Sequence, residues 1–188
     1  MMSGMTPRGS RAARPGLVVL RPLTLDDEQV ATAAHEECRV DGFTFLLDRE
    51  RSDSWADYIA RLEMTRHGID LPPHRVPATF LVAEAHNLVV GRVSLRHQLT
   101  AFLYEVGGHI GYAVRPGYRR RGYATETCRQ ILERAAELEL GRVLITCDDD
   151  NHASATVIER CGGVLDNVVA YGSEGTFKRR YWVPTANE

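Results

Sequence analysis

The sequence predicts an α+β fold: a mixed, mostly antiparallel sheet with one central parallel βαβ crossover, flanked by helices. Three observations predict it. Between residues 78 and 114 three apolar, β-branched runs follow one another with no helical pattern between them, as in an antiparallel meander. Ala124 to Leu140 is amphipathic at helical period and sits between two strand-like runs, and a crossover of that length is parallel and right-handed. The C-terminal runs 164–171 and 176–183 flank Gly172-Ser-Glu-Gly175, which predicts a closing hairpin.

The elements follow in order. Leu17-Val-Val-Leu20 reads as a short strand closed by Pro22, and Thr24 is an N-cap candidate for a helix through about Cys38, with Asp26, Asp27 and Glu28 in its first turn. Ser52 or Asp53 is expected to cap a second helix from Trp55 to about His67, where Trp55, Ile59 and Leu62 recur at helical spacing and Gly68 stops it. Three prolines make 71–77 a loop. Ala78–Ala85 and Leu88–His97 then flank His86-Asn87, a two-residue turn, and His109–Val114 completes the meander, with Gly107-Gly108 expected to form a bulge before it. The long helix carries Ala124, Cys128, Ile131, Leu132 and Ala135 on one face, and Gly141 stands where a terminating glycine belongs. A buried-type strand, Arg142–Cys147, leads to Asp150 or Asn151 as the cap of a last helix through Arg160.

Composition narrows the function. A chain of 188 residues suits a single domain, here expected over 17–188 behind a disordered Gly/Pro/Arg tail, 1–16. A formal net charge of −2 supplies no global attraction to nucleic acid or anionic lipid, so any basic site is local. No apolar run approaches the roughly 20 residues of a membrane span. Cys38, Cys128, Cys147 and Cys161 form no CxxC pair and the histidines are scattered, so no metal site is expected and the thiols read as reduced, in a cytoplasmic protein.

The local basic site is Arg119-Arg-Arg-Gly122-Tyr-Ala124, in the loop that leaves a strand and enters the long helix. Free N–H groups and the helix dipole make that end attractive to phosphate, and Gly122 and Ala124 keep the approach to the backbone uncrowded. A merely solvated arginine loop is the alternative. Neither the dinucleotide Gly-x-Gly-x-x-Gly nor the nucleotide-binding Gly-x-x-x-x-Gly-Lys-Ser/Thr pattern is present. A nucleic-acid site would need a wide basic face and an aromatic platform.

The run Arg119–Ala124 resembles the Arg/Gln-x-x-Gly-x-Gly/Ala signature of the GCN5-related N-acetyltransferase (GNAT) family. Downstream, Asn151-His-Ala-Ser-Ala-Thr-Val-Ile158-Glu-Arg-Cys-Gly162 is similar to the family's second signature. The resemblance implies a three-layer GNAT fold and acetyl-coenzyme A as cosubstrate. It places the pantetheine arm along Tyr112, Ala113 and Val114, the diphosphate on Arg119, Arg120, Arg121, Gly122, Tyr123, Ala124 and Thr125, and a further cofactor contact on Asn151. It also implies direct acetyl transfer to a primary amine of a small molecule, antibiotic, peptide or protein terminus, and often a homodimer. Where many members carry the tyrosine that protonates the departing thiolate, this chain has Ile158, so that either Tyr112, Tyr123 or Tyr171 substitutes or coenzyme A leaves as a thiolate. That substitution also admits an inactive, coenzyme A-binding regulatory module. Glu105 and His109 are the base candidates, an N–H near Val114 or at Gly107-Gly108 the oxyanion donor. Asp148-Asp-Asp150 is placed to attract a cationic amine, and residues 68–77 with the first two helices to wall the acceptor site.

Overall fold

The computed structural model describes residues 18–50, 52–172 and 175–185; the expected tail, 1–16, lies outside them. Along the chain run β1 (Val18–Arg21), α1 (Glu28–Arg39), α2 (Trp55–His67), β2 (Ala78–Ala85), β3 (Leu88–Arg96), β4 (Ile110–Val114), α3 (Tyr123–Glu137), β5 (Arg142–Asp148), α4 (His152–Arg160), β6 (Val164–Tyr171) and β7 (Thr176–Pro184). The strands form one sheet in the order β1-β2-β3-β4-β5-β7-β6. Every neighbouring pair is antiparallel except β4 and β5, which run parallel on either side of the α3 crossover.

Strand alternation sends side chains to two faces, and each face is covered. Val93 and Leu95 of β3, Val143, Ile145 and Cys147 of β5, and Tyr181 and Val183 of β7 pack against Cys128, Ile131 and Ala135 of α3 and Ala155 and Ile158 of α4. On the other face, Phe80, Val82 and Val89 meet Ala31, Ala34 and Cys38 of α1, Trp55 and Tyr58 of α2, and Phe45 and Leu46 from the connection between those helices. The result is three layers. The α1–α2 connection is pinned rather than draped: Leu46 N–H donates to His35 Nδ1 (3.1 Å), and the Tyr58 hydroxyl donates to Leu47 O (3.0 Å). At the start of the domain, Arg21 forks onto Asp27 (2.7 and 2.9 Å) and reaches Glu84 (2.7 Å), tying β1 to α1 and β2.

Local chemistry moves several boundaries. Ser54, not Ser52 or Asp53, caps α2 by accepting the Asp57 N–H, because Asp53 is engaged by Arg61. The long helix begins at Tyr123 and stops at Glu137. Glu139 takes the left-handed conformation (φ 58) and Leu140 N–H returns to Ala135 O (3.1 Å), so Gly141 does not end the helix. Asn151 is the cap of α4. His86 and Asn87 are both left-handed (φ 53 and 61), the two-residue turn expected between β2 and β3. Gly107-Gly108 forms no bulge: residues Leu103–Gly107 wind into one π-helical turn, and Gly108 (φ 66) donates its N–H to Leu103 O at 2.6 Å. Gly108 is required there, since a Cβ would sit 2.7 Å from Leu144 O on β5.

Candidate active site

The two parallel strands share a single register pair, Ile110 with Ile145. Just before it the strands are locked: His109 N–H donates to Leu144 O (2.7 Å), Leu144 N–H donates to His109 Nδ1 (2.9 Å), and Thr146 Oγ1 donates to Val106 O (2.7 Å). Beyond it, residues 111–114 pair only with β3. Arg115 N–H donates to Val90 O on β3 (2.9 Å), and alternation along the strand therefore turns the backbone groups of Tyr112 and Val114 toward the gap beside β5. An unpaired strand edge inside a sheet accepts an extended ligand as an added strand.

The gap opens onto the arginine loop. Gly122 is left-handed (φ 83) at the N-cap of α3 and offers no side chain to its first turn, so the leading amides are bare. Arg120 is also left-handed (φ 61), a conformation that costs a non-glycine residue about 1 kcal/mol; alternating backbone signs of this kind turn successive N–H groups to one side as an anion nest. The loop is held from outside the gap: Arg115 forks onto Glu37 of α1 (2.9 and 2.6 Å), and Arg119 pairs with Asp41 (2.6 Å) while its Nε reaches Val114 O. Arg121 donates to Gly117 O and lies over the Tyr118 ring. Arg120 has no side-chain partner among the described residues.

Tyr112 reaches from β4 across the gap to α4, its hydroxyl 3.0 Å from Ser154 Oγ and 3.3 Å from Ser154 O. Burial pushes that hydroxyl above the usual phenol range, so it stays protonated. Ser154 N–H in turn donates to Asn151 Oδ1 (3.0 Å), linking the cap to the same cluster. Ser154 was not singled out by sequence; its signal is its place one helical turn before Ile158. Ile158 is fully buried in the core, and a Cβ on Gly163 would lie 2.8 Å from Ile158 O, so the backbone passes too close there for a side chain.

The remaining candidates are dispersed. Tyr123 is buried with Val18, Ala83, Ala85 and Val90, in a cluster that Val114 and Tyr118 pack against, so its side chain belongs to the core. Tyr171 lies on β6 against Phe102. Ala124 and Thr125 sit half-buried in the first turn of α3. Asp148 and Asp149 are taken by Lys178 and Arg179 of β7, and the Asp150 carboxylate has no side-chain partner among the described residues. Glu105 is exposed on the π-helical turn. His109 holds β4 to β5 instead of facing solvent: its Nδ1 lone pair is occupied, and burial, reinforced by Arg96, pushes its pKa down to about 4. A ring whose acceptor nitrogen is already used is a strand link, not a ready proton acceptor.

Comparison with known proteins gives the family and the fold. The family model described as acetyltransferase (GNAT) domain matches residues 18–164, and the chain belongs to that family. A curated relative, an uncharacterised N-acetyltransferase YnaD of Bacillus subtilis, is 34% identical over 80 residues, 42% of this chain and 41% of that protein, so the chain matches under half of the relative's length. Among solved structures, RimJ of Mycobacterium smegmatis in complex with CoA-disulfide is similar over 90% of this chain and 81% of its own, at 17% identity and TM-score 0.64. The microcin C7 self-immunity acetyltransferase MccE, in complex with acetyl-CoA and AMP, is similar over 92% and 97%, at 15% identity and TM-score 0.61. These two share the fold.

The His109 link has a pH signature. Its folded pKa lies below the ordinary histidine value of 6.5, so the unfolded chain binds the extra proton between pH 6.5 and 4, and stability falls as pH drops through that window. At pH 5 the loss relative to pH 7.5 should be about 2 kcal/mol from this residue. His109→Asn, whose amide oxygen can accept the Leu144 N–H, should flatten that part of the profile in urea titrations; an unchanged slope would contradict the assignment.

Proposed function

We propose that the chain transfers an acetyl group from acetyl-coenzyme A directly to a primary amine. The observation that carries this reading is the one-rung β4–β5 pair, whose unpaired edge runs straight into the bare amides of α3. The fit is one of chemistry: the edge offers the N–H groups of Tyr112 and Val114 to an amide-containing arm, Val114 O being held by Arg119, and the loop offers unblocked N–H groups and the free Arg120 to a diphosphate. The resemblance to acetyl-CoA-bound and CoA-bound structures supports the same ligand.

When bound, acetyl-coenzyme A supplies the activated carbonyl. The chain's residues do the rest. Tyr112 and Val114 hold the arm by backbone pairing, and the Arg119–Thr125 segment holds the diphosphate. The amine enters neutral after losing a proton to water or to Glu105, its nitrogen bonds the carbonyl carbon, the carbon–sulfur bond breaks with its electron pair left on sulfur, and the nitrogen sheds a second proton to water to become the neutral amide. Tyr112, kept protonated and oriented by Ser154, donates a hydrogen bond to the departing sulfur in the place that Ile158 cannot fill; a thiol of ordinary pKa near 8.5 makes thiolate departure tolerable with that help. No acyl-enzyme is needed, because the amine is the nucleophile. The alternative, a coenzyme A-binding module without transfer, is separated by thiol release in the presence of amines.

Two variants test the assignment. Gly122→Glu should weaken acetyl-coenzyme A binding more than tenfold in calorimetry while the fold persists, since both the left-handed backbone and the diphosphate position reject a carboxylate side chain; wild-type affinity in this variant would refute the site. Tyr112→Phe should lower kcat about tenfold with coenzyme A affinity unchanged; an equal loss in both would make Tyr112 a binding group only.

A further inference from the structure

A second cavity lies on the α1/α2 side of the sheet. It is a groove of about 1120 Å³ between α2, residues 69–79 and the segment leading to β4, lined among others by Tyr58, Phe80, Ser94, Arg96, Phe102 and Leu103. Three arginines line it. Arg61 is paired with Asp53, and Arg75 is bound by both oxygens of Asp48 (2.7 and 2.5 Å). Arg96 pairs with no carboxylate among the described residues. Its Nη1 donates to Gly107 O (3.3 Å) and Gly108 O (3.1 Å), while Nε and Nη2 have no partner among the described residues. Burial lowers its pKa; Asp48 opposes this, but that carboxylate is already held by Arg75.

Four residues back along β3 and on the same face, Arg92 is 3% exposed and likewise pairs with no carboxylate among the described residues; it donates to Thr44 O (2.8 Å), Gly111 O (3.0 Å) and, at long range, Ser94 (3.4 Å), and lies over the Phe43 ring. Neither guanidinium is paired with a carboxylate among the described residues, although Asp48, Glu50, Asp57 and Asp70 also line the groove, and the unpartnered donors that face the groove are the Nε–Nη2 edge of Arg96. Arg92 is enclosed; Arg96 faces the groove. The groove lies one strand away from the gap, through Ser94 of β3, which lines it. Arg96 N–H donates to His109 O (2.8 Å), Ser94 stands opposite Gly111, and the gap opens at Gly111, so the free guanidinium edge belongs to a residue roughly 7 Å along the strand from the start of the gap.

We propose that this groove selects an acceptor that carries, besides its amine, an anionic oxygen group, carboxylate or phosphate, bound by the Nε–Nη2 edge of Arg96. That edge presents two parallel N–H donors, the geometry that binds a carboxylate or phosphate through two oxygens. Tyr58, Phe80, Phe102 and Leu103 supply an apolar wall for the body of the molecule. The inference rests on the acetyl-transfer reading and names the substrate class of the same site.

Matched amines test it. Phenylalanine against phenethylamine, and O-phosphoethanolamine against ethanolamine, are compared by thiol release at saturating acetyl-coenzyme A and by calorimetric binding to the protein saturated with coenzyme A. One acidic member should exceed its neutral partner by roughly tenfold or more in both readouts, and which pair responds distinguishes carboxylate from phosphate. Arg96→Gln should erase the preference, Arg96→Lys should keep part of it, and Arg75→Gln should leave it intact. Equal or better use of the neutral members, a preference that survives Arg96→Gln, or no binding and no turnover of either acid would overturn the proposal. The wild-type comparison stands even if the Arg96 variants fail to fold. Arg96-dependent binding of an acid without thiol release would instead overturn the transfer reading and leave the anion site standing.

Discussion

The structure turns on the single rung between Ile110 and Ile145. Parallel strands joined by a helix would ordinarily pair along their length, and here they part after one register pair. The contacts around the rung explain why. On one side the strands are clamped by His109 and by the close approach of Gly108 to Leu144; on the other, Tyr112 stands across the opening and anchors on Ser154 of α4. Clamp and prop together create an edge in the middle of a sheet. Edges are usually a liability of the outermost strands, and an internal one is accessible only to something as thin as an extended chain.

Electrostatics complete what the rung begins. A right-handed crossover brings the start of α3 over the end of β4, so the open edge and the positive end of the helix dipole converge without further design. The loop between them is held in place by ion pairs to the α1 side, Arg115 with Glu37 and Arg119 with Asp41, while Arg120 keeps its charge free. These exposed or half-exposed pairs add little stability. Their consequence is geometric: the backbone amides keep one orientation. Arg92 then connects the two faces of the site, since its guanidinium touches both Thr44 in the helical layer and Gly111 at the mouth of the gap.

Much of this was legible in the sequence, and the reasons are specific. The strand runs were visible because β-branched residues cluster between turn residues such as His86-Asn87, and α3 because Cys128, Ile131 and Ala135 recur at helical spacing. The loop proposed as the diphosphate site stood out because Arg119–Ala124 combines charge, small residues and a strand-to-helix position, and that position is the one the structure shows. The helix ends were not, because Ser54 and Glu139 win by local hydrogen bonds that neighbouring residues could equally have made. The π-helical turn before β4 follows from the tertiary approach of Gly108 to β5, which no local pattern announces. Ser154, Arg92 and Arg96 were missed for a related reason: polar residues alternating along an apolar strand or helix read as solvent-facing, and only the packed layers show that Arg92 is enclosed.

Amide hydrogen exchange on the wild-type protein, with and without coenzyme A, tests the central claim most directly. Protection should rise at two places that are far apart in sequence and meet at the gap, the edge amides of Tyr112 and Val114 and the leading amides of α3 from Tyr123 to Thr125. Binding that leaves both segments unchanged, or that protects a different region instead, would contradict the account.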